Sequence, residues 1–359
     1  MVILVCYECI MICIQSLTHK EPPKSFMSAS RQNVPNANLP SVYFIVLDEY
    51  AGSETLEKYF KYSNAGFVNT LDSLGFKVIR NASSNYHYTV LSMASTLNGE
   101  YIETHKNKPV YTQESFRNGM NAIYYNKAFA TFEELGYSVF NYSPFRMKEH
   151  ASRYSNRFLP TDYWLILHPT FFDRVIESFP YFFARKSGNK NLLKNLFTRQ
   201  VDVSRNVLND VLNKSGENLN APTFSYIHLM MPHAPYATDS TGMINMAFLT
   251  SEAITKKQRM DAYLQYLVYA NRVVSDFLRK IKTKTNGNAV VMLMSDHGLR
   301  DQLNPEDTIS KFNSLNAVYL PAGMPNKWYD NMSNVNQFRL LFSLLSQQQI
   351  EYKQDLQVH

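Results

Sequence analysis

Ala289-Val290-Val291-Met292-Leu293-Met294-Ser295-Asp296-His297-Gly298 combines an uninterrupted apolar run with two potential metal ligands directly after it. A run of this kind is typical of a strand buried on both faces of a parallel sheet. Ligand sites in open α/β folds lie outside the carboxyl ends of such strands. The stretch therefore predicts an α/β protein with a carboxylate and an imidazole at one edge of its sheet, which suggests a metalloenzyme.

Strand-like and helix-like stretches alternate along the chain from Ser41 onward, without an internal repeat of fixed period. The predicted strands are short and mostly apolar, and lie at 42–47, 75–79, 137–142, 223–229, 289–295 and 316–320. The predicted helices carry apolar residues three or four positions apart, and lie at 128–135, 191–212, 259–281 and 335–345. This alternation predicts a central, mostly parallel sheet with helices on both faces.

The N-terminal part of the chain differs in composition from the rest. Residues 1–18 form a mostly apolar run, interrupted by Glu8 and Gln15, which is shorter than the ~20 residues of a membrane-spanning helix. The run fits a truncated transmembrane segment or a buried first helix, and it lacks the features of a signal peptide. Residues 19–40 contain four prolines together with Ser and Asn, so we predict a linker there and the main domain at 41–359.

The composition is that of a globular protein: of 359 residues, 45% are hydrophobic, and the net charge is +6. Because the basic residues are dispersed along the chain, we do not expect nucleic-acid binding. The last cysteine is Cys13, so residues 14–359 hold neither a disulfide nor a cysteine-based zinc site. Aromatic residues reach 14%, and an aromatic-rich insertion at 160–186 is predicted to pack in the core, to hold a lipid-like substrate or to rest on a membrane surface.

Carboxylates and imidazoles suited to a divalent metal follow two of the predicted strands. Asp48 comes directly after strand 42–47, with Glu49 beside it as a rival ligand, and Asp296 and His297 follow strand 289–295. Each residue alone is weak evidence, because Asp commonly ends strands at turns or caps a helix. Together, side chains from the ends of neighbouring parallel strands are expected to meet and favour a metal site.

Thr89 precedes the apolar, helix-capable stretch 90–97 and is therefore expected at or near a helix N-terminus. Free backbone N–H groups and the helix dipole favour an anion at that position. A hydroxyl bound to a metal is activated as a nucleophile because its pKa is lowered. Taken by itself, however, Thr89 would be interpreted as a helix cap.

Four segments, in this order, resemble the alkaline phosphatase and sulfatase superfamily. They are Val-Tyr-Phe-Ile-Val-Leu-Asp48, Ser-Asn-Tyr-His-Tyr-Thr89-Val-Leu-Ser-Met-Ala-Ser, His228-Leu-Met-Met-Pro-His233-Ala-Pro-Tyr and Ser-Asp296-His297-Gly298. The branch that they resemble most closely comprises membrane-anchored, sulfatase-like proteins related to lipoteichoic acid synthase. The resemblance extends over roughly Ser41 to Leu320, so residues 41–359 are interpreted as a sulfatase-like catalytic domain with the superfamily's α/β fold.

The resemblance implies a metal site and a nucleophile. One divalent ion, which would be Mn, Mg or Zn, would be bound by Asp48, Thr89, Asp296 and His297, and Thr89 would also be the covalent nucleophile. This division of roles suits phosphoryl transfer, which needs charge neutralisation on the phosphoryl oxygens and a nucleophile in line with the leaving group.

The resemblance also implies residues that bind the substrate. His233 would contact the oxygens of the transferred group or assist the leaving group, and His228 is a weaker candidate for the same pocket. Arg300 is a further candidate for an anionic substrate, although a long basic side chain on a loop is more often solvated. The other histidines are interpreted as structural or solvated, with His87, two residues before Thr89, as the exception of interest.

Two departures from the wider superfamily narrow the prediction. No Cys/Ser-x-Pro-x-Arg motif, the site of formylglycine formation in strict sulfatases, occurs near Thr89, which disfavours sulfate-ester hydrolysis. The two-zinc branch needs a further histidine well after Asp-His-Gly, and only His359 follows it in this sequence. A single-metal site is the consistent expectation.

We therefore expect a membrane-anchored enzyme whose catalytic domain is extracytoplasmic, either periplasmic or at the cell surface. It would transfer or hydrolyse a phosphate-containing group, with a phospholipid head group as donor and a phosphorylated Thr89 as intermediate. Its partners would be a phosphate-ester or lipid-linked substrate and the membrane. Two alternatives stay open: a sulfatase-like hydrolase of sulfuric esters or phosphodiesters, and a non-catalytic surface domain that uses the fold for interaction.

Overall fold

The computed structural model describes residues 25–27, 39–102, 111–153, 183–184, 186–215, 221–251, 254–300 and 309–359. The strands are β1 (Ser41–Leu47), β2 (Lys77–Val78), β3 (Ser138–Tyr142), β4 (Thr223–Leu229), β5 (Ala289–Ser295) and β6 (Asn316–Tyr319). The α-helices are α1 (Ser53–Phe60), α2 (Ala65–Ser73), α3 (Thr89–Asn98), α4 (Gln113–Tyr124), α5 (Lys127–Glu134), α6 (Lys190–Lys214), α7 (Met246–Thr250), α8 (Lys256–Lys284), α9 (Ile309–Phe312) and α10 (Gln337–Ser346). The apolar run 1–18, and most of the predicted linker and of the aromatic insertion, lie outside the described residues.

The six strands form one sheet in the order β2-β6-β5-β1-β4-β3. Strand β1 is central and pairs in parallel with β4 and β5, while β3 pairs in parallel with β4. Strand β6 is antiparallel to both of its neighbours, so β2 runs in the same direction as the other strands. The predicted mostly parallel sheet is confirmed, and all six predicted strands are present, although 75–79 contributes only a two-residue edge strand.

Helices cover both faces of the sheet, as the continuous apolar strands predicted. Alternate residues of β1 point to opposite faces: Tyr43, Ile45 and Leu47 belong to one buried cluster, and Phe44 and Val46 to the other. The first cluster includes the buried sides of α6 and α8, and the second includes those of α3, α5 and α10. Many of the aromatic side chains lie in these clusters, as in the stack of the Phe132 ring on the Phe224 ring, whose centroids are 3.8 Å apart.

The four predicted helices are confirmed with small shifts of their ends. Helix α8 is longer than its predicted 259–281, because a capping box between Thr255 and Gln258 starts it earlier. Helices α1, α2 and α4 were not predicted. Each is at most 12 residues long and buries only two or three side chains, so few apolar positions mark it in the sequence.

Within the residues described, no helix is both long and apolar enough to cross a membrane. The last residues of the chain, from 347 onward, adopt no regular secondary structure. They lie against the segment before α3, where Val358 N–H donates to the Asn85 carbonyl (2.9 Å) and Asn85 Nδ2 donates to the Leu356 carbonyl (2.7 Å). The C-terminal residues therefore support the chain that leads into the candidate nucleophile.

Candidate metal centre and active site

The register of the sheet brings the predicted carboxylates to one edge. Leu47, the last residue of β1, lies opposite Leu229 of β4 and Ser295 of β5, so the chain leaves all three strands at the same level. Ser295 Oγ donates to the Leu47 carbonyl (2.9 Å), and this hydrogen bond connects the end of β5 to the end of β1. Asp48 and Asp296 follow directly, and both are buried. This is the arrangement that the two apolar runs predicted.

The candidate ligands have buried atoms without hydrogen-bond partners. Among the described residues, Asp48 Oδ1, Asp296 Oδ2 and His228 Nε2 have no hydrogen-bond partner. Ligand atoms of these three residues all lie within 4.8 Å of one another. Buried polar groups are rarely left unpaired, and two buried carboxylates repel each other unless a cation neutralises them. The donor set, which contains oxygen and nitrogen but no sulfur, fits a divalent metal.

The hydrogen bonds of Asp296 orient its free oxygen. Its Oδ1 accepts from the backbone N–H groups of Glu49 (3.0 Å) and His297 (2.8 Å), which leaves Oδ2 as the oxygen available to a cation. The backbone carbonyl of Asp296 accepts from the hydroxyl of Ser92 in helix α3. The end of β5 and the helix that carries Thr89 are therefore joined directly.

His297 presents one ring nitrogen to the same centre. Its Nδ1 donates to the Gly298 carbonyl (2.7 Å), so the neutral ring has its lone pair on Nε2. That Nε2 lies 3.2 Å from Asp296 Oδ2, 3.3 Å from Thr89 Oγ1 and 4.0 Å from Asp48 Oδ1. The position and the tautomer both suit a metal ligand.

Thr89 is the first residue of α3, and the residue in the N-cap position is Tyr88. The interpretation of Thr89 as an ordinary helix cap is therefore wrong. Its hydroxyl instead contacts His297, and it lies where the free N–H groups of the first helical turn favour negative charge. The structure thus brings together Asp48, Asp296, His297 and Thr89, the four residues predicted to hold the metal.

His228 lies elsewhere than the sequence suggested. It sits within strand β4, fully buried, with Nε2 3.4 Å from Asp48 Oδ2 and Nδ1 2.9 Å from the hydroxyl of Tyr226. The sequence assigned it to the substrate pocket with His233, but the strand places its ring among the candidate metal ligands. Sequence spacing alone does not show this, because His228 and His233 lie on either side of the strand end.

A second group of charged residues lies beside the candidate ligands. Arg300 Nη2 donates to His233 Nε2 at 3.0 Å, and the guanidinium also lies over the ring of Tyr88 at 5.2 Å. Glu49 Oε1 accepts from the Arg300 backbone N–H (2.9 Å) and lies 3.8 Å from Arg300 Nε. The side chain of Arg300 is only 26% exposed, so the solvated alternative considered for it does not apply.

Burial and mutual repulsion change the protonation of the candidate ligands. Burial and the nearby charge of Asp48 raise the pKa of the Asp296 carboxyl to about 6. Burial opposes ionisation of Asp48 too, but the imidazoles of His233, His228 and His297 outweigh it and hold the pKa of that carboxyl below its ordinary value. Burial and the charge of Arg300 lower the pKa of His297 to about 4. A cation at this centre would therefore compete with the proton of Asp296.

Several supporting residues carry no recognisable signal in the sequence. Asn334 Nδ2 donates to the backbone carbonyl of Ser295 (3.1 Å) and contacts that of Asp296 (3.3 Å), from a part of the chain with no motif. Tyr111 OH lies 2.6 Å from His87 Nδ1. Such contacts join residues far apart in sequence, so spacing and periodicity do not predict them.

A hydroxyl at a helix N-terminus, facing buried carboxylates and imidazoles where parallel strands end, is an arrangement typical of enzymes that cleave esters with the help of a metal. The sequence model of the sulfatase family matches residues 71–340 of this chain. The chain belongs to the sulfatase family, and it is therefore an enzyme of the alkaline phosphatase and sulfatase superfamily, as predicted. The narrower relation to lipoteichoic acid synthase stays a prediction.

Solved structures with a similar fold include two of a phosphoethanolamine transferase. The integral membrane protein lipooligosaccharide phosphoethanolamine transferase A from Neisseria meningitidis is 11% identical, with 98% of this chain and 62% of that protein covered, at a TM-score of 0.51. The soluble domain of that transferase is 12% identical, with 94% of this chain and 96% of that domain covered, at a TM-score of 0.50. The phosphonate monoester hydrolase of Agrobacterium radiobacter is 13% identical, with 86% and 74% covered, at 0.50. These likenesses show the fold, and no functionally curated protein matches the sequence.

Proposed function

We propose that this protein transfers or hydrolyses a phosphate-containing ester with Thr89 as the nucleophile. The Oγ of Thr89 would form a bond to phosphorus while the bond from phosphorus to the leaving oxygen breaks. Water or an acceptor hydroxyl would then take the group from Thr89. The supporting observation is the position of Thr89 Oγ1, at the start of α3 and 3.3 Å from Nε2 of His297.

A divalent metal, which would be Mn, Mg or Zn, is the cofactor that the donor set fits. Asp48 and Asp296 would hold it with His297 and Thr89, and His228 is a further candidate ligand because its Nε2 lies in the same group of atoms. The metal would lower the pKa of the threonine hydroxyl and neutralise charge on the transferred group. The two carboxylates together balance the charge of a divalent ion.

His233 and Arg300 are the proposed contacts for the oxygens of the transferred group. They are polar, hydrogen-bonded to each other and partly exposed, whereas the candidate ligands behind them are buried. A partly exposed pair of donors beside a buried metal suits an anion that enters from solvent.

A lipid-linked phosphate ester is the proposed substrate class, with the domain outside the cytoplasm and anchored to the membrane. The supporting observations are the apolar run at 1–18 and the similar fold of an integral membrane protein described as a lipooligosaccharide phosphoethanolamine transferase. The proposed organisation has the apolar segment at 1–18, a linker at 19–40 and the catalytic domain at 41–359. The family match lies wholly within that domain.

A sulfatase-like hydrolase is the second candidate, and the family match favours it. It would use the same residues but release its product to water, and its substrate would be a sulfuric ester or a phosphodiester. A non-catalytic domain that uses the fold for interaction is the third candidate, and the complete set of Thr89, two carboxylates and two imidazoles weighs against it.

The decisive experiment measures metal content and turnover on the same protein. Elemental analysis would be run on wild type, Asp296→Ala and Thr89→Ala, with hydrolysis of bis-p-nitrophenyl phosphate and p-nitrophenyl sulfate measured in parallel. We expect close to one ion per chain in wild type, lost in Asp296→Ala. Thr89→Ala should lower phosphodiester turnover by at least about a thousandfold, since removal of a catalytic nucleophile can cost up to about a millionfold in kcat.

Thr70→Ala is a suitable control because its hydroxyl makes only an ordinary helical contact with the carbonyl of Gly66 (2.9 Å). Turnover of the sulfate alone would favour the second candidate. Bound metal without turnover of either ester, and without a phosphothreonine detectable by mass spectrometry, would leave the interaction domain. Full phosphodiester turnover in Thr89→Ala would contradict the proposed nucleophile.

A further inference from the structure

Glu49 follows Asp48 directly, yet its side chain belongs to a different group of residues. Three of the candidate metal ligands, Asp48, Asp296 and His228, present buried atoms that lack hydrogen-bond partners within the described structure, and no atom of Glu49 is among these atoms. The backbone of Glu49 has φ +60, a left-handed conformation that is uncommon for a residue other than glycine. Glu49 is also only 5% exposed. Its side chain is therefore buried, but it is not one of the three residues whose ligand atoms lie within 4.8 Å of one another.

The backbone of Glu49 is held at both ends by the structure around it. Its N–H donates to Asp296 Oδ1 (3.0 Å), and its carbonyl accepts from the hydroxyl of Tyr263 in helix α8 (3.0 Å). A left-handed residue persists when its surroundings fix it in this way. These contacts set the direction of the Glu49 side chain, which runs toward Arg300 and His233.

The carboxylate of Glu49 contacts both members of the proposed anion-binding pair. Oε1 accepts from the Arg300 backbone N–H (2.9 Å) and lies 3.8 Å from Arg300 Nε, and Oε2 lies 3.8 Å from His233 Nε2. The pair is itself ordered: His233 Nδ1 donates to the Ala234 carbonyl (2.6 Å), and His233 Nε2 accepts from Arg300. One buried carboxylate thus holds a guanidinium and an imidazole side by side.

The charges of this group compensate one another. Glu49 carries one negative charge and Arg300 one positive charge, and the carboxylates of Asp48 and Asp296 together match a divalent ion. Burial lowers the pKa of His233 and the carboxylates of Asp48 and Glu49 raise it, with a net rise, but its Nε2 accepts from the Arg300 guanidinium and is therefore unprotonated in this arrangement. With His233 neutral, Glu49, Arg300, the two aspartates and a divalent ion carry no net formal charge before substrate binds. Phosphodiesters and sulfate monoesters carry one negative charge, whereas a phosphate monoester carries close to two at neutral pH, since its second pKa is about 6. A site without excess positive charge gives the dianion no advantage.

We propose that Glu49 is a positioning residue that also sets the charge of the preferred substrate. Its carboxylate orients Arg300 and His233 toward the transferred group and cancels the charge of the guanidinium, so that the site favours singly charged esters over doubly charged ones. This inference rests on the proposed function, because it assumes that Arg300 and His233 contact the substrate. It adds a selection by charge that the metal ligands alone do not explain.

The experiment compares Glu49→Gln with wild type on bis-p-nitrophenyl phosphate, p-nitrophenyl sulfate and p-nitrophenyl phosphate. Glutamine keeps an oxygen for the Arg300 N–H but leaves the guanidinium charge unbalanced. We expect kcat/KM for the phosphate monoester to rise relative to the two singly charged esters by about tenfold, the scale of one unit charge acting over a few ångströms in a protein site. Metal content should not change. Glu49→Ala, which also removes the hydrogen bond, should raise KM for all three esters.

A charge-matched double variant keeps the test informative if Glu49→Gln is poorly stable. Arg300→Gln should shift the preference toward singly charged esters, and the Glu49→Gln, Arg300→Gln double variant should return the ratio toward that of wild type. Asp276→Asn is the matched control, because it removes one carboxylate from an Asp–Arg pair with Arg279 (2.9 Å) on α8. Asp276 lies 13 residues along that helix from Tyr263, or about 20 Å.

Three results would overturn the inference. Loss of metal in Glu49→Gln would make Glu49 a ligand. If wild type binds metal and is active, but Glu49→Gln has the same ratio of kcat/KM between the phosphate monoester and the singly charged esters, then Glu49 does not select substrates by charge. If wild type itself binds no metal and cleaves no ester, the proposed function fails and this inference fails with it.

Discussion

The imidazole of His87, two residues before the candidate nucleophile in sequence, contacts the hydroxyl of Tyr111. Tyr111 OH donates to the carbonyl of Val358 (2.7 Å) and lies 2.6 Å from His87 Nδ1. Because a hydroxyl has one proton and the carbonyl can only accept, Nδ1 of neutral His87 must carry the ring proton. Burial lowers the pKa of His87 to about 4, and the positive charges of Lys311 and other neighbours act in the same direction.

This low pKa predicts a dependence of stability on pH. In the unfolded chain a histidine takes up a proton near pH 6.5, whereas folded His87 resists protonation until about pH 4. The unfolded state therefore binds more protons in this window, and the free energy of unfolding should fall as pH is lowered from about 6.5 to about 4. His87→Asn should lessen that fall, as measured by urea unfolding in the presence of a chelator. Equal pH dependence in the two proteins would contradict the assignment.

At the level of elements, the glycine of Asp-His-Gly is explained by the close approach of the backbone after β5 to the backbone of α9. A Cβ on Gly298 would lie 2.1 Å from the carbonyl oxygen of Ser310 and 2.5 Å from that of Asn313. The N–H of Gly298 also donates to the Lys311 carbonyl (2.9 Å). The chain after β5 therefore packs directly on α9 and the residue that follows it. Only glycine fits at this position without moving backbone atoms.

Gly298→Ala should destabilise the protein by about 1–3 kcal/mol, the usual cost of overpacking. The atoms that it would meet belong to the backbone and cannot swing aside as a flexible side chain would. The matched control is Gly66→Ala in α2, where a Cβ would meet no described atom within 4 Å. That change should be neutral or stabilising by up to about 1 kcal/mol, because alanine favours the helix. Chemical denaturation of both variants tests the difference, and equal stabilities would refute it.

For the whole molecule, the candidate metal centre joins parts of the chain that are distant in sequence. Its residues come from the ends of β1 and β5, from β4 and from the start of α3. A metal that binds only the folded arrangement stabilises it by mass action, by about 2.7 kcal/mol at a concentration 100 times Kd. The sheet and helix α3, which carries Thr89, should therefore unfold at a higher temperature when the metal is bound.

We expect Mn²⁺, Mg²⁺ or Zn²⁺, added to chelator-treated wild type, to raise Tm by several degrees, and Asp296→Ala to abolish the rise. The rise should shrink below about pH 6, where Asp296 regains the proton with which the metal competes. Thermal scans of both proteins at two pH values would measure this. A rise of equal size in Asp296→Ala would contradict a metal site at this edge of the sheet.

Local sequence patterns predicted most of the sheet and the position of its functional edge. A buried parallel strand is an apolar run, and the residue that ends the run ends the strand, so Asp48 and Asp296 were located without a structure. Helices that bury few side chains, such as α1 and α4, were not predicted, because a short amphipathic pattern resembles a polar loop. The superfamily followed from motifs, since each motif is a contiguous stretch of sequence.

The sequence by itself determined the fold class, the strand ends and the residue types that gather there, because these depend on periodicity and on neighbours along the chain. Only the tertiary structure decided where each side chain points. It placed His228 with the carboxylates and turned Glu49 away from Asp48 toward Arg300 and His233. The side-chain directions depend on backbone torsion angles and on contacts between residues far apart in sequence, such as Glu49 and Arg300. The spacing of residues along the chain does not predict such contacts.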